Sequence, residues 1–307
     1  MVRDAMADIL TDVLRSLQLK GTVYFQADFR APWGMDIPAG RVANFHVVVA
    51  GGCYVRGSRD RLERLEQGDI ALLPRGDAHA LSHGADAPLE PARDILTALQ
   101  TSDSYGGSGQ PTRLICGHFQ RGNDLPHPLF ESLPEMVVVR AADVEHAAWI
   151  SPAIQLASME SGSGHPGSAA VVDRLADVLL IQVLQAFART QSGNEGFLAA
   201  ISDAAIARSL ALIHSRPAER WTVESLSRAA GMSRSAFAAR FKQTVGESPL
   251  QYLTLWRMQR AHELLASSQL SLAEIGERVG YESEWSFAKA FKRAFGVAPG
   301  SARRAAR

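Results

Sequence analysis

The stretches TVESLSRAAGMSRSAFAARFKQTVGESP (222–249) and SLAEIGERVGYESEWSFAKAFKRAFGVAP (271–299) are two copies of one pattern. Phe237, Phe241, Lys242, Gly246 and Pro249 recur at an offset of 50 as Phe287, Phe291, Lys292, Gly296 and Pro299. Upstream the offset is 49, where Thr222, Leu226 and Gly231 match Ser271, Ile275 and Gly280, so the second copy has one added residue in its turn. Two copies are too few for a solenoid, which needs about three repeats or more. A pair of supersecondary units is the better reading, each a helix, a turn and a second helix. Thr222 and Ser271 are predicted N-caps, and Ser271 with Glu274 makes a capping box. Gly231 and Gly280 end the first helices, where a left-handed residue suits glycine. Ser233 and Ser283 cap the second helices. Phe237 with Phe241, and Phe287 with Phe291, lie four apart and pack inward.

Polar residues are thereby left outward. In the first unit these are Arg234, Ser235, Ala238, Ala239 and Lys242; in the second, Glu284, Trp285, Ser286, Lys289 and Arg293. A helix-turn-helix puts its second helix in the major groove with N-terminal residues near base edges. The stretch 250–265 reads as a connecting helix, which would set the distance between the two reading helices. Successive major grooves on one DNA face lie about 34 Å apart, so one chain could read two turns. Charge agrees. Lys plus Arg equals Asp plus Glu at 32 each, yet residues 216–307 carry 15 against 8. The basic surplus fits a nucleic-acid face.

The array over 210–304, with both Gly-x-x-Pro endings and the connecting Arg257-x-x-x-Ala261-x-x-Leu264-Leu265, resembles the AraC/XylS-type transcription regulators. The resemblance implies that Ser235 and Ala239 face bases in the first unit, and Glu284, Trp285, Ser286 and Lys289 in the second. With Arg234, Lys242, Ser283 and Arg293 they form the expected DNA-binding set. Ala239 stands where relatives often carry a long polar side chain, so the first unit is expected to lean on phosphate contacts and DNA shape.

The first 190 residues read as mostly β, with short apolar runs and Gly/Pro turns at 45–55, 68–74 and 112–119. Residues 84–111 read as a long mobile loop with a short helix near 95–99. The stretch GDIALLPRGDAH (68–79) resembles the second cupin motif, with Gly68, Pro74, Gly76 and His79 in place. The first motif is incomplete: Asn44-Phe45-His46 stands for His-x-His, and Ala50 and Gly51 fall near the Glu position. This makes a cupin metalloenzyme with an accessory helical domain the less favoured alternative. A wider resemblance, over about 1–190, is to a cupin-type sensor domain of AraC-like regulators. Cys116 and His118, two apart on a strand, share a face by the strand period. With His46 and His79 they offer a Cys/His₃ set suited to tetrahedral Zn²⁺. Three readings stay open: a zinc site, a reactive Cys116 thiolate beside histidine, or buried residues with local partners. Asp77 is a further candidate partner, and Cys53 packs as a hydrophobe.

Residues 169–189 read as a helix with an apolar surface too wide for one buried face. A second subunit or the next helix, 197–214, would cover the other face, and a homodimer is expected. The fold class is α+β: a cupin-like β-barrel with flanking helices, then an all-α domain of two helix-turn-helix units. The expected domains are 1–190 for sensing and dimerisation, 191–215 as connecting helix and hinge, and 216–307 for DNA binding. Gly/Ser-rich breaks are expected at 161–168 and 191–196, and the hinge at 215–219.

Composition bounds the rest. Apolar residues at 46% and charged residues at 21% fit a globular chain. Its two cysteines exclude a disulfide scaffold. The sequence lacks a run of about 18 apolar residues and a signal-peptide pattern, so a cytoplasmic location is expected. The function expected is a non-enzymatic, sequence-specific regulator, an activator by resemblance. Its partners are double-stranded promoter or operator DNA and RNA polymerase, and its barrel senses a small molecule, metal or oxidant. A regulator whose barrel only dimerises is the other alternative.

Overall fold

A computed structural model describes residues 2–58, 61–123, 125–142, 144–161, 165–190 and 196–305. Residues 162–164 of the Gly/Ser-rich break expected at 161–168, and 191–195 of the one expected at 191–196, lie outside these residues, as does residue 191 at the expected domain boundary. In chain order the elements are α1 (Val2–Leu17), β1 (Lys20–Arg30), β2 (Gly34–Ile37), β3 (Ala43–Ala50), β4 (Gly52–Arg56), β5 (Leu62–Glu66), β6 (Ile70–Leu73), β7 (His79–Ser82), β8 (Glu90–Pro91), α2 (Ala92–Ala98), β9 (Ser104–Gly106), β10 (Pro111–Gln120), α3 (Pro128–Glu131), β11 (Val137–Val139), α4 (Val144–Ser161) and α5 (Ser168–Thr190). Then follow α6 (Phe197–Ser202), α7 (Ala204–Ser215), α8 (Val223–Ala230), α9 (Arg234–Val245), α10 (Pro249–Ser267), α11 (Leu272–Arg278), α12 (Glu284–Phe295) and α13 (Pro299–Ala305). They form two units, one of residues 19–121 and 133–191, the other of residues 1–18, 122–132 and 192–307.

The first unit is built on two sheets, ordered β11-β6-β3-β10-β1-β9 and β5-β4-β7-β2-β8. One core joins them: Phe29, Val48, Leu114 and Cys116 from the first sheet meet Met35, Cys53, Val55, Leu65 and Leu81 from the second. Cys53 packs there as expected. The run at 45–55 is two strands, turned at Gly51 with φ +77°, where an added Cβ would lie 2.7 Å from the Pro111 carbonyl oxygen. Residues 84–111 contain the short helix expected near 95–99, as α2, together with the short strands β8 and β9 that a plain loop would lack. Helix α2 buries Ala92 and Ile95 in the core, and β9 pairs parallel with β1. Burial of a few apolar side chains overrode the Gly/Ser-rich composition.

Helix α5 has the wide buried surface that its sequence predicts, including Val172, Ala176, Leu179, Leu180, Val183 and Leu184. It packs against β1 and β11 on one side and α4 on another. The sequence reading missed α4, which carries Pro152 inside it and so looks like a break. Two carboxylates of α5 reach the sheet: Asp177 Oδ1 accepts from the Gly21 N–H at 2.8 Å and Asp173 Oδ1 from the Val23 N–H at 3.2 Å.

The second unit differs from the expected division. Residues 1–18 and 122–132 belong to it, not to the sheets. Helix α1 packs on α6, α7 and α10, burying Ile9, Val13 and Leu17. Leu125 sits in the same cluster as Met258, Ala261, Leu265, Ile275, Val279, Phe287 and Phe291. His127 is fully buried, caps α3 by accepting from the Leu129 N–H, and lies edge-on to Phe197 and Tyr252. The physical reason is burial of these apolar faces on helices distant in sequence. The helix expected at 197–214 is two helices, α6 and α7, divided at Asp203. Its carboxylate caps α7 by accepting from the Ala205 and Ile206 N–H groups. The turn at 215–219, expected as a hinge, is tied down. Arg257 Nε and Nη2 donate to the carbonyls of Pro217 at 2.7 Å and Glu219 at 2.9 Å.

Candidate nucleic-acid interface and a buried histidine–cysteine row

Both copies of the repeat fold as their sequences predict. Thr222 and Ser271 cap α8 and α11 through capping boxes with Ser225 and Glu274. Gly231 ends α8 in the left-handed region. Gly280 does the same for the second copy at φ +86°. A side chain at Gly280 would meet Arg257 Nη2 at 2.6 Å and Ala218 at 2.9 Å, so glycine is required on two counts. Phe237, Phe241, Phe287 and Phe291 are fully buried.

That inward phenylalanine face turns the expected DNA-binding set outward. On α9, Arg234, Ser235, Ala239 and Lys242 are exposed; on α12, Glu284, Trp285, Lys289 and Arg293 are exposed and Ser286 is half-buried. Trp285 is 71% exposed, and Lys289 Nζ stands 5.0 Å from its ring centroid. Two members are engaged in capping. Ser283 Oγ accepts from the Ser286 N–H at 3.2 Å, and Ser286 Oγ donates to the Ser283 carbonyl at 2.8 Å. Arg240, also on α9, is held by Asp203 at 2.6 Å. Each second helix thus presents its amino-terminal turn and a cationic arc, the shape and charge that a major groove accepts.

Of the expected metal set, three residues meet in the sheet core and one does not. His46 on β3 is directly opposite Cys116 on β10, and His79 opens β7 in the other sheet. Cys116 Sγ lies 3.1 Å from His46 Nδ1, and His46 Nε2 lies 2.8 Å from His79 Nε2. His79 Nδ1 is 2.9 Å from the Asp77 carbonyl oxygen. That carbonyl only accepts, so His79 Nδ1 carries the proton. With neutral rings, His46 Nε2–H then donates to His79 Nε2, and the Cys116 thiol donates to His46 Nδ1. Burial, and then the neighbouring His79, hold His46 well below its ordinary pKa. Burial lowers His79 as well. Burial, and then Cys53, push the Cys116 thiol well above its usual value. The row is therefore neutral from end to end. Burial among neutral groups disfavours the Cys116 thiolate that a histidine-activated thiol needs.

His118 stands apart. An irregularity between Val23 and Phe25 of β1 faces this stretch of β10, and the intervening Tyr24 stacks on the His118 ring at 4.7 Å. An extra residue in one strand disturbs the ladder there, a feature that two-residue spacing along the sequence does not reveal. The Asp77 carboxylate faces Arg75 at 3.4 Å, and only its backbone joins the row. Among the described residues no three His, Cys, Asp or Glu side chains gather as a metal set. His46 uses its two nitrogens in opposite directions, so the donors form a line, not a shell. The four residues do not make the expected tetrahedral zinc site in this arrangement.

No helix among the described residues is long and apolar enough to cross a membrane. A cupin family profile matches residues 8–189, and a helix-turn-helix domain profile matches 226–305. A putative AraC-like transcription regulator of Streptomyces lividans is 33% identical over 300 residues, covering 97% of this chain and 98% of that one. The RCS-specific transcriptional activator RclR of Escherichia coli is 28% identical over 301 residues, covering 96% and 97%. Among solved structures, the DNA-binding domain of AdpA in complex with a target DNA is 34% identical, covering 31% of this chain and 84% of that one, with a TM-score of 0.29. With a cupin-like sheet unit and two helix-turn-helix units in one chain, this protein belongs to the AraC-like family of DNA-binding transcription regulators.

Proposed function

We propose that α9 and α12 enter successive major grooves of a promoter or operator duplex, and that the bound protein activates transcription by contacting RNA polymerase. The supporting observation is that both second helices bury a phenylalanine pair and turn a polar arc outward. Arg and Lys contacts to phosphate supply affinity with a steep salt dependence, and base-edge contacts supply specificity. The residues at work bind, and no catalytic step is assigned to any of them. In vitro selection of duplexes from a random library by the full chain tests this. Enrichment of a site with two contacted segments about one helical turn apart supports it; no enriched sequence, or a single short segment, contradicts it.

The sheet unit senses a small molecule at the Cys116–His46–His79 row, with a metal or an oxidant as the other outcomes of the test, and it pairs with a second copy. For pairing, the support is apolar surface left open on α4 and α5: Leu156, Met159, Val171 and Val178 are all exposed. The solution mass of the full chain at micromolar concentration checks this, twice the chain mass being expected. For sensing, Cys116→Ser and His79→Gln should make DNA affinity unresponsive to the signal that changes the wild type. Responses equal to wild type in both variants would remove the row from sensing. Metal content of the untagged chain separates a metal signal from the other two.

A further inference from the structure

Trp285 is the second residue of α12, in the turn that a helix-turn-helix presents to base edges. Its indole is 71% exposed, while Phe287 and Phe291 of the same helix are fully buried. Nothing in the fold calls for it. At the offset of 50 that carries Phe237 to Phe287, Trp285 corresponds to Ser235 and Lys289 to Ala239. The first copy builds the same helix without either. Lys289 Nζ lies over the indole ring at 5.0 Å, one turn along the helix, which limits where the ring swings and keeps its far side open.

The edges that base pairs present in the major groove are hydrogen-bond donors and acceptors, with one apolar exception, the thymine 5-methyl. The flat apolar face of the indole, at the reading end of α12, matches that group, while its Nε1–H at the ring edge is a donor that leaves the face free. We propose that Trp285 is a specificity-determining residue that selects thymine in the half-site under α12, by seating its indole on the 5-methyl group. The proposal rests on α12 entering the major groove. Lys289 positions the indole and holds its ammonium beside the same base pair. Glu284, exposed at the start of the helix, is an acceptor suited to a cytosine amino group nearby.

The test uses the full chain and a duplex enriched from a random library. Each thymine is replaced in turn by deoxyuridine, which removes the methyl and keeps every hydrogen-bonding group. One or two thymines in the α12 half-site should be sensitive, with wild-type affinity falling about fourfold or more on loss of a buried methyl. Trp285→Ala should bind more weakly and be indifferent to uridine at those positions. Trp285 is exposed, so its removal leaves the core intact, and the uridine scan of the wild type stands without any variant. Uniform insensitivity across all thymines overturns the proposal, as does equal sensitivity in wild type and Trp285→Ala. If no sequence is enriched at all, the groove-binding reading fails, and this inference with it.

Discussion

The two helix-turn-helix units share what folds them and differ in what they present. Capping boxes, a left-handed glycine at the turn and a buried phenylalanine pair recur in both. The outward residues do not. Helix α9 carries Arg234, Ser235, Ala239 and Lys242, with small side chains between two cations; α12 carries Glu284, Trp285, Ser286, Lys289 and Arg293. On the groove-binding reading proposed above, one scaffold serves two tasks: the first unit offers charge for phosphates with little reach for base edges, and the second offers a ring and a carboxylate in its first turn, with an ammonium one turn along. The supports differ too. The second unit's core includes Leu125, a residue nearly 150 positions upstream of α11 by its number in the chain.

The largest effects should test the shared scaffold. Phe237→Ala and Phe287→Ala should each cost about 3–5 kcal/mol of stability in denaturant unfolding, because each leaves a cavity in a packed core. A much smaller loss in one copy would break the equivalence. Leu125→Ala should cost about 2–4 kcal/mol and lower the hydrogen-exchange protection of α11 and α12 more than that of α8 and α9. Equal loss in both copies would deny that Leu125 belongs to the second alone.

Smaller effects should sharpen the difference in presentation. Trp285→Ala should change the preferred sequence, worth about 1–3 kcal/mol at the affected position, with little change on random DNA. Lys242→Ala should weaken specific and random DNA alike and make the salt slope shallower by about one unit. A reversed pattern, in which Lys242 alters preference and Trp285 does not, would exchange the two roles. The smallest effect belongs to the caps. Thr222→Ala and Ser271→Ala should each cost about 1 kcal/mol in thermal unfolding.

The helical repeat was legible because its determinants are local. Caps, turn glycines and a four-residue aromatic spacing are written within a few positions of where they act. Two strands of the sheet core were legible for a similar reason, since His46 and Cys116 lie in short apolar runs bounded by turn residues. Longer-range features were not. Helix α4 is obscured by Pro152. The ordering of 84–111 depends on Ile95 finding a core made by other strands. The grouping of α1 and residues 122–132 with the helical unit depends on faces that match only after folding. Asp12 at 3.7 Å from His214 Nδ1, with His214 stacked on Trp256 at 3.7 Å, joins three positions that no spacing rule connects. His118 adds another such case, since its ring stacks on Tyr24 of the neighbouring strand, a contact that spacing along the sequence does not reveal.

The division of labour between α9 and α12 is the central claim, and half-site scrambling measures it most directly. The full chain is titrated against a selected duplex, and against two versions in which the segment under one helix or the other is randomised. Scrambling the α12 segment should weaken binding about a hundredfold, the cost of two or more mismatched base pairs, while scrambling the α9 segment should cost less than about tenfold. Equal losses from the two segments, or a larger loss under α9, would contradict the account.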